Sequence, residues 1–170
     1  MSDELILVDL NDSVVGRGEK LWVHQNDKLH RAFSVFIVSG EKMLIQRRNI
    51  KKYHSGGLWA NACCSHPRFG ETLEIAVKRR LQEELGIDTS VKELFHFVYR
   101  TVYENGLTEF EYDHVFLSDY SGEFCLSEEE IEEIRWIDIS ELKNDVIINP
   151  QKYASWFLIA LPRVLELLEK

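Results

Sequence analysis

The chain has 170 residues, and its 45% of apolar and 29% of charged residues are ordinary values for a globular protein. They exclude a disordered chain, a collagen and a disulfide-stabilised miniprotein, and favour a single domain over residues 1–170. The net charge of −9 argues against nucleic-acid binding, although a local basic cluster could still hold a small anion. No apolar run approaches the roughly 20 residues of a membrane helix, and the acidic start is unlike a secretory signal. A cytoplasmic protein that does not enter membranes is therefore expected.

The first half of the chain predicts mainly strands. The strands predicted there are short and apolar: Glu4–Asp9, Ala32–Val38, Met43–Arg47 and Leu58–Cys64. Residues 11–18 are rich in Asn, Asp, Ser and Gly and favour a loop. The sequence over 39–42 is typical of a hairpin turn, and residues 49–57 form a basic loop. The three cysteines, an odd number with two adjacent, are expected to be free thiols.

The second half mixes helices with longer strands. Thr72 is a suitable N-cap for an amphipathic helix that ends at Leu85, before Gly86. An Asn-Gly hairpin signal at 105–106 separates two β-rich segments. The further predicted elements follow in chain order: strands at Glu93–Tyr103, Leu107–Asp119 and Ile134–Ile139, and helices at Ser140–Asn144 and Gln151–Glu169. The acidic stretch over 127–133 favours a solvated loop, and Pro162 is expected to kink or split the last helix. This mixture predicts a layered α+β or α/β domain.

The predicted helix carries a motif over residues 79–87, Arg-Arg-Leu-Gln-Glu-Glu-Leu-Gly-Ile, and Glu71 stands eight residues before Arg79. This pattern resembles the Nudix signature G-x5-E-x7-R-E-U-x-E-E-x-G-U, where U is apolar. Ser65 replaces the opening glycine, and Arg80 replaces a glutamate that helps to hold metal ions in Nudix hydrolases. The resemblance implies a Nudix-type α+β fold with a mixed central β-sheet flanked by helices, while Arg80 argues against hydrolase chemistry. Taken alone, the motif also fits an ordinary amphipathic helix with surface charges.

Residues 59–67, Trp-Ala-Asn-Ala-Cys-Cys-Ser-His-Pro, are followed by Gly-Glu at 70–71 and are more specific. They closely resemble the segment around the catalytic cysteine of type 1 isopentenyl diphosphate isomerases. Residues 24–34 resemble that family's paired metal histidines, residues 47–52 its basic diphosphate loop, and residues 108–112 its E-x-E strand. The four matches keep the family's order over most of the chain, which is improbable by accident.

The resemblance implies the 1,3-allylic isomerisation of isopentenyl diphosphate to dimethylallyl diphosphate. Glu111 would donate a proton to the alkene with Tyr99 as its hydrogen-bond partner, and Cys64 would accept a proton on the opposite face. Trp156 would stack over the cationic carbon, although a core tryptophan is an equally common explanation. Cys63 and Cys125 are expected to be inert.

The same resemblance implies two metal sites. Glu109 and Glu111 leave one face of a strand, which for an isolated pair is more often a solvated surface. Together with three histidines they suit a divalent ion, and Mn²⁺, Mg²⁺ and Zn²⁺ all fit parts of the set. The ligands implied for this ion are His24, His30, His66, Glu109 and Glu111. Glu84 and the carbonyl of Cys64 would hold a second ion, Mg²⁺, that bridges the substrate diphosphate. The remaining histidines match no motif.

Four basic side chains fall on family positions that contact the diphosphate, although each alone could be a surface charge: Lys20, Arg48, Lys52 and Arg80. The expected partner is a small-molecule diphosphate, and a monomer or weak dimer is expected. Two alternatives remain open, a Nudix pyrophosphohydrolase acting on a nucleoside diphosphate derivative and an inactive metal-binding or regulatory module.

Overall fold

The structure, a computed structural model, describes residues 4–170. Over those residues the chain forms nine strands, four α-helices and one short 3₁₀ turn at 150–152. The strands are β1 (Glu4–Val8), β2 (Val14–Glu19), β3 (His30–Ser39), β4 (Lys42–Arg48), β5 (Trp59–Asn61), β6 (Cys63–Ser65), β7 (Lys92–Val102), β8 (Thr108–Asp119) and β9 (Ile131–Asp138). The helices are α1 (Lys20–Gln25), α2 (Leu73–Leu85), α3 (Ile139–Ile148) and α4 (Ser155–Leu168). No helix over residues 4–170 has the length and apolar character needed to cross a bilayer.

The sheet is organised around β3. This strand pairs antiparallel with β1, β4 and β6 and parallel with β8, and β8 pairs antiparallel with β7. β4 also pairs antiparallel with both β5 and β9. β2 pairs antiparallel with β1 at an edge of the sheet. Parallel and antiparallel pairs therefore share one mixed sheet with helices around it, which confirms the predicted α+β class.

Alternation along β3 produces a core on each face of the sheet. Phe33, Val35 and Ile37 pack with the buried side of α2, whereas Phe36 and Val38 pack with α4. Each fully buried side chain of this size contributes about 1.5–3 kcal/mol relative to an exposed one. The two cores fix α2 and α4 on opposite faces, and this holds the functional side chains between them.

Two local predictions are confirmed in detail. The Thr72 side chain accepts a hydrogen bond from the backbone N–H of Ile75, and Gly86 ends α2 with a φ of 66°. The Asn105-Gly106 turn joins β7 to β8, with Gly106 at a φ of 81° that favours glycine. Short-range chemistry therefore determines both ends of α2 and the hairpin turn between β7 and β8.

The predicted loop over 11–18 is wrong, because Val14–Glu19 forms the edge strand β2. Its side chains are mostly exposed, so no apolar alternation reveals it, and backbone pairing with β1 stabilises it. The short helix α1 was also not predicted. The side chain of Glu19 caps it by accepting from the N–H groups of Leu21 and Trp22, each at 3.0 Å.

The single strand predicted at Leu58–Cys64 is two strands. β5 pairs with β4, whereas β6 pairs with β3, so the chain changes neighbours at Ala62. The amide of Asn61 stabilises this change by donating to the carbonyls of Val35 and Cys63. The crossover places Cys63 in the core beneath α2 and leaves Cys64 beside α4.

The C-terminal elements differ from prediction at their ends. β9 begins at Ile131, inside the predicted acidic loop, and α3 extends to Ile148 rather than ending at Asn144. A break at 153–154 separates the 3₁₀ turn from α4, which runs through Pro162 without being split. Pro162 lies on the exposed side of α4, where water can satisfy the carbonyl group that loses its hydrogen bond.

Candidate active site

A cavity of about 200 Å³ lies between the two helical layers, at the end of the sheet where β3 and β8 begin. It is smaller than the roughly 300–1,000 Å³ typical of pockets for drug-sized ligands, so it suits a small substrate. Eleven of the side chains predicted from sequence line it: Lys20, Arg48, Lys52, Cys64, His66, Arg80, Glu84, Tyr99, Glu109, Glu111 and Trp156. The other two, His24 and His30, lie behind the cavity in contact with His66.

The predicted metal ligands come from four separate elements. Glu109 and Glu111 project from one face of β8, and His30, the first residue of β3, is the register partner of Glu111. His24 lies on α1, and His66 follows β6. Ligand atoms of the three histidines lie within 4.8 Å of one another, and those of His30, His66 and both glutamates form an overlapping group. The fold therefore assembles a three-histidine, two-carboxylate cluster.

Backbone carbonyls orient two of these histidines. The Nδ1 of His24 lies 3.0 Å from the carbonyl of Thr108, and the Nδ1 of His30 lies 2.8 Å from the carbonyl of Lys28. Since a carbonyl only accepts, each Nδ1 donates, which in a neutral ring leaves the lone pair on Nε2. Burial lowers the pKa of His24 to about 4 and that of His66 to about 3, so both rings are neutral at pH 7. Neutral imidazoles are the form that binds metal ions.

The cluster leaves one buried polar atom of a predicted ligand without a hydrogen-bond partner, the Nε2 of His30, which lies 3.5 Å from the Oε1 of Glu111. An unsatisfied buried polar atom costs about 1–3 kcal/mol, and such atoms are rare in native proteins. A divalent cation bound between the lone pair of this nitrogen and a carboxylate oxygen of the cluster would satisfy it. The residues present therefore fit a divalent metal ion.

The two carboxylates of the cluster differ in their environment. Glu111 accepts hydrogen bonds from the phenol of Tyr99 and the Nε2 of His66, each at 2.7 Å. Burial opposes ionisation, but hydrogen bonds from Glu109 and His66, together with the nearby imidazole of His30, hold the pKa of Glu111 well below its usual range. Burial and the charge of Glu111 raise the pKa of Glu109 well above its usual range. The pair thus shares a proton that Glu109 holds more tightly.

Cys64 and Cys63 face different surroundings. The thiol of Cys64 lines the cavity 3.7 Å from Nη1 of Arg48. Burial raises the pKa of Cys64 to about 12, although Arg48 opposes the shift, so this thiol is protonated at pH 7. Cys63 is completely buried among apolar side chains under α2. The geometry thus gives only Cys64 access to a ligand.

The lining of the cavity is basic on balance although the whole chain is acidic, because its cationic side chains outnumber the four glutamates at positions 84, 109, 111 and 130. Six cationic side chains line it: Lys20, Arg48, Lys52, Arg68, Arg79 and Arg80. Arg80 donates to Glu84 at 2.5 and 3.1 Å and to Glu83 at 2.9 Å. Glu84 is buried, which raises its pKa, while the adjacent Arg80 opposes that shift. The helix α2 therefore presents a guanidinium group and a buried carboxylate together at the cavity wall.

Trp156 belongs to both the core and the cavity. Its indole N–H donates to the side-chain oxygen of Asn61 at 3.1 Å, and the guanidinium of Arg48 lies 5.1 Å from its ring centroid. Trp156 is thus buried in the core and also lines the cavity, and its stacking over the cationic carbon stays a prediction. A cation near this ring gains roughly 0.5–2 kcal/mol.

His54 is a member of the site that no motif predicts. Its Nε2 lies 2.5 Å from the Oε1 of Glu109, and its ring stacks on Tyr103 with centroids 4.6 Å apart. Burial lowers the pKa of His54 to about 2. A lone histidine in a loop matches no motif, so the sequence does not predict the contact of His54 with Glu109. The one sequence signal that places His54 near the cavity is its position in the basic loop over 49–57.

Comparisons with known proteins agree with this fold. A NUDIX domain family model matches residues 28–157. The crystal structure of DR0079 from Deinococcus radiodurans covers 94% of this chain and 98% of its own, with a TM-score of 0.78 at 19% identity. A MutT NUDIX hydrolase from Burkholderia pseudomallei covers 80% of this chain and 98% of its own, with a TM-score of 0.63 at 25% identity. The predicted Nudix-type fold is confirmed, and the protein is a Nudix protein.

Proteins similar in sequence identify the family within the Nudix proteins to which the chain belongs. The isopentenyl-diphosphate Delta-isomerase 2 of Aromatoleum aromaticum is 46% identical over 97% of this chain and 88% of its own length. The isopentenyl-diphosphate Delta-isomerase of Serratia proteamaculans is 42% identical over 93% of this chain and 89% of its own length. The chain belongs to the isopentenyl-diphosphate Delta-isomerase family.

Proposed function

We propose that this chain isomerises isopentenyl diphosphate to dimethylallyl diphosphate. One observation carries the proposal: a single cavity brings a His/Glu metal cluster, a cysteine thiol and the arginine of α2 together. A Nudix pyrophosphohydrolase would need a carboxylate where Arg80 stands, and it has no use for the cysteine. The family relatives carry the name of the isomerase and not that of a hydrolase.

The reaction moves a double bond, so one proton is added to the substrate and another is removed. Protonation of an unactivated alkene produces a tertiary carbocation, which requires a strong acid and the exclusion of water. The cavity is small and lies between two helical layers, so a substrate that fills it would exclude water from the reacting carbons. Two proton-transfer groups on different walls are needed, because addition and removal occur on opposite faces of the substrate.

Glu111 and Cys64 are the proposed proton-transfer groups. Glu111 protonates the alkene, and its hydrogen bond from Tyr99 orients the carboxyl group and links it to a proton path. Before turnover the proton of the Cys64 thiol passes to Glu111, and Arg48 favours this transfer by stabilising the thiolate. Glu111 gives that proton to the alkene, and the Cys64 thiolate accepts the proton removed from the substrate, which restores the thiol and the carboxylate. In the reverse reaction the roles exchange, so each group is the donor in one direction. Trp156 stabilises the cationic intermediate with its ring.

The cluster of His24, His30, His66 and both glutamates would hold a divalent ion, with Mn²⁺, Mg²⁺ or Zn²⁺ compatible with these ligands. When bound, that ion supplies positive charge that polarises the Glu111 carboxyl group. Glu84, with the carbonyl of Cys64, is proposed to hold Mg²⁺ against the substrate diphosphate.

The substrate diphosphate is bound by four cationic side chains in this proposal: Lys20, Arg48, Lys52 and Arg80. All four line the cavity, so they surround an anion there from several directions. A cytoplasmic location, a monomeric or weakly dimeric state and a single domain over 1–170 stay predictions from the sequence.

The test is incubation with isopentenyl diphosphate and Mg²⁺ in deuterated water. We expect dimethylallyl diphosphate containing deuterium and no release of phosphate, measured by mass spectrometry and a phosphate assay. Phosphate release from nucleoside diphosphate derivatives without isomerisation would identify a hydrolase. The absence of any turnover, in protein shown to be folded, would instead identify the inactive module.

Replacing His54 with asparagine is expected to weaken Mn²⁺ binding about 10-fold, because His54 lies against Glu109 and positions its carboxylate. The affinity would be measured by electron paramagnetic resonance at about one equivalent of Mn²⁺. Lys51→Gln, in the same loop with an exposed side chain, is the matched control and should bind normally. Equal affinity in all three proteins would contradict a positioning role for His54.

A further inference from the structure

A second group of metal-ligating side chains lies on the face of β8 that points away from the catalytic carboxylates. Glu93 and His96 come from β7, and His114 comes from β8, with ligand atoms within 4.8 Å of one another. His96 and His114 are directly opposite in the strand register. A bulge between Glu93 and Phe95 shifts the alternation of β7 and brings Glu93 to the same face. Glu111 projects from the other face of β8, so this cluster is separate from the cavity.

The ring of His114 is held between two carboxylates. Its Nδ1 lies 2.6 Å from the Oε1 of Glu93, and its Nε2 lies 3.0 Å from the Oδ2 of Asp12. Asp12 is itself fixed by Arg31, whose Nε donates to Oδ1 and whose Nη2 donates to the Asp12 carbonyl, each at 2.7 Å. A carboxylate that accepts from one ring nitrogen while the other faces a ligand is the arrangement found behind metal-binding histidines.

We propose that Glu93, His96 and His114 form a second, structural site for a borderline divalent ion such as Zn²⁺. In this site the Nδ1 of His114 binds the ion, and Asp12 accepts a hydrogen bond from the Nε2–H and fixes the ring. Two imidazoles and one carboxylate suit Zn²⁺, Co²⁺ or Ni²⁺ better than Mg²⁺, which prefers oxygen ligands. His114 is nearly buried, whereas Glu93 and His96 are exposed, so an ion can reach the site from solvent.

An ion at this site would connect three parts of the fold. Its ligands would join β7 to β8. The hydrogen bond between His114 and Asp12 would connect both strands to the loop between β1 and β2. A simpler arrangement without metal is a His114 ring that bridges Glu93 and Asp12 through its two nitrogen atoms. His96 takes no part in the metal-free arrangement. A substitution of His96 therefore distinguishes the metal site from the metal-free arrangement.

The test is a Zn²⁺ titration of uniformly ¹⁵N-labelled full-length protein in the presence of saturating Mg²⁺, followed through the histidine ring resonances. The rings of His24, His30 and His66 report the catalytic cluster separately from those of His96 and His114. We expect the His96 and His114 rings to shift together, and His96→Gln to lower the affinity at His114 at least about 10-fold. Zn²⁺ should raise the unfolding temperature more in the unsubstituted protein than in His96→Gln, in which only the cluster of His24, His30 and His66 still binds it.

Lys92→Gln, exposed on the same strand, is the matched control and should bind Zn²⁺ normally. Zn²⁺ that shifts only the catalytic histidines, or an affinity at His114 unchanged by His96→Gln, would overturn the proposal. Neither result depends on isomerase activity, because the readout is the ring resonances and the unfolding temperature.

Discussion

Replacing Cys64 with serine is expected to lower turnover at least about 100-fold while the fold stays intact. Serine keeps the shape, but its hydroxyl is a far weaker acid than a thiol in the same surroundings, since an ordinary thiol has a pKa of about 8.5 and a serine hydroxyl scarcely ionises. The proposed proton acceptor is therefore lost, and general acid–base catalysis is worth about 10²–10⁴-fold. Steady-state conversion of isopentenyl diphosphate gives the rate, and circular dichroism gives the fold.

Cys63 provides the internal control for this prediction. It is adjacent to Cys64, but its side chain is completely buried under α2. Cys63→Ser should keep most of its activity per folded molecule, although a buried hydroxyl costs about 1–3 kcal/mol of stability. Cys63→Ala avoids that cost and should be fully active. Equal losses of activity in Cys63→Ser and Cys64→Ser would leave the thiol assignment without support.

A substrate analogue carrying an epoxide or an alkyne extends the experiment. Such a reagent should alkylate Cys64 in the unsubstituted protein, because the thiol lines the cavity that holds the substrate. Labelling of Cys64 together with the inactivity of Cys64→Ser would show that the residue is essential and within reach of the reacting carbons. Labelling at another position would contradict its placement beside the substrate.

The elements predicted correctly are those whose pattern is local. The apolar alternation of β3 and the four-residue spacing in α2 report burial directly, and both elements pack in the core. β2 and α1 lack such a pattern, because backbone pairing with β1 alone holds the mostly exposed β2 and a single glutamate caps α1. The break between β5 and β6 depends on which neighbouring strand each segment pairs with, and composition carries no such information.

The candidate site likewise contains residues that the sequence predicts and contacts that only the fold creates. Residues such as His66 and Glu111 belong to motifs with fixed spacing, and the structure brings them within 2.7 Å of each other. His54 and Glu109 are 55 positions apart, and only the fold brings them into contact. The pairing of Arg80 with Glu84 is visible from helical spacing, but the burial of that carboxylate, 3% exposed, depends on the sheet beneath it.

Arg80→Glu is expected to weaken diphosphate binding by at least about 2 kcal/mol, or roughly 30-fold, without creating a hydrolase. The substitution reverses the charge at a proposed anion ligand. It also removes the cation that pairs with Glu84 and places a third carboxylate beside Glu83 and Glu84. Binding of an unreactive diphosphate analogue, measured by calorimetry, gives the loss, and thermal unfolding checks that the variant is folded.

Arg80→Gln separates loss of charge from reversal of charge. It removes the cation without adding an anion, so its loss of affinity should be smaller than that of Arg80→Glu. Neither variant should hydrolyse nucleoside diphosphate derivatives, although Arg80→Glu restores the R-E pair of the Nudix signature. The rest of the site explains this expectation, because Ser65 still replaces the opening glycine of the signature. The Cys64 thiol, for which a hydrolase has no use, also remains in the cavity wall. Appreciable hydrolysis by Arg80→Glu would show that the site has kept hydrolytic machinery and that Arg80 alone suppresses it.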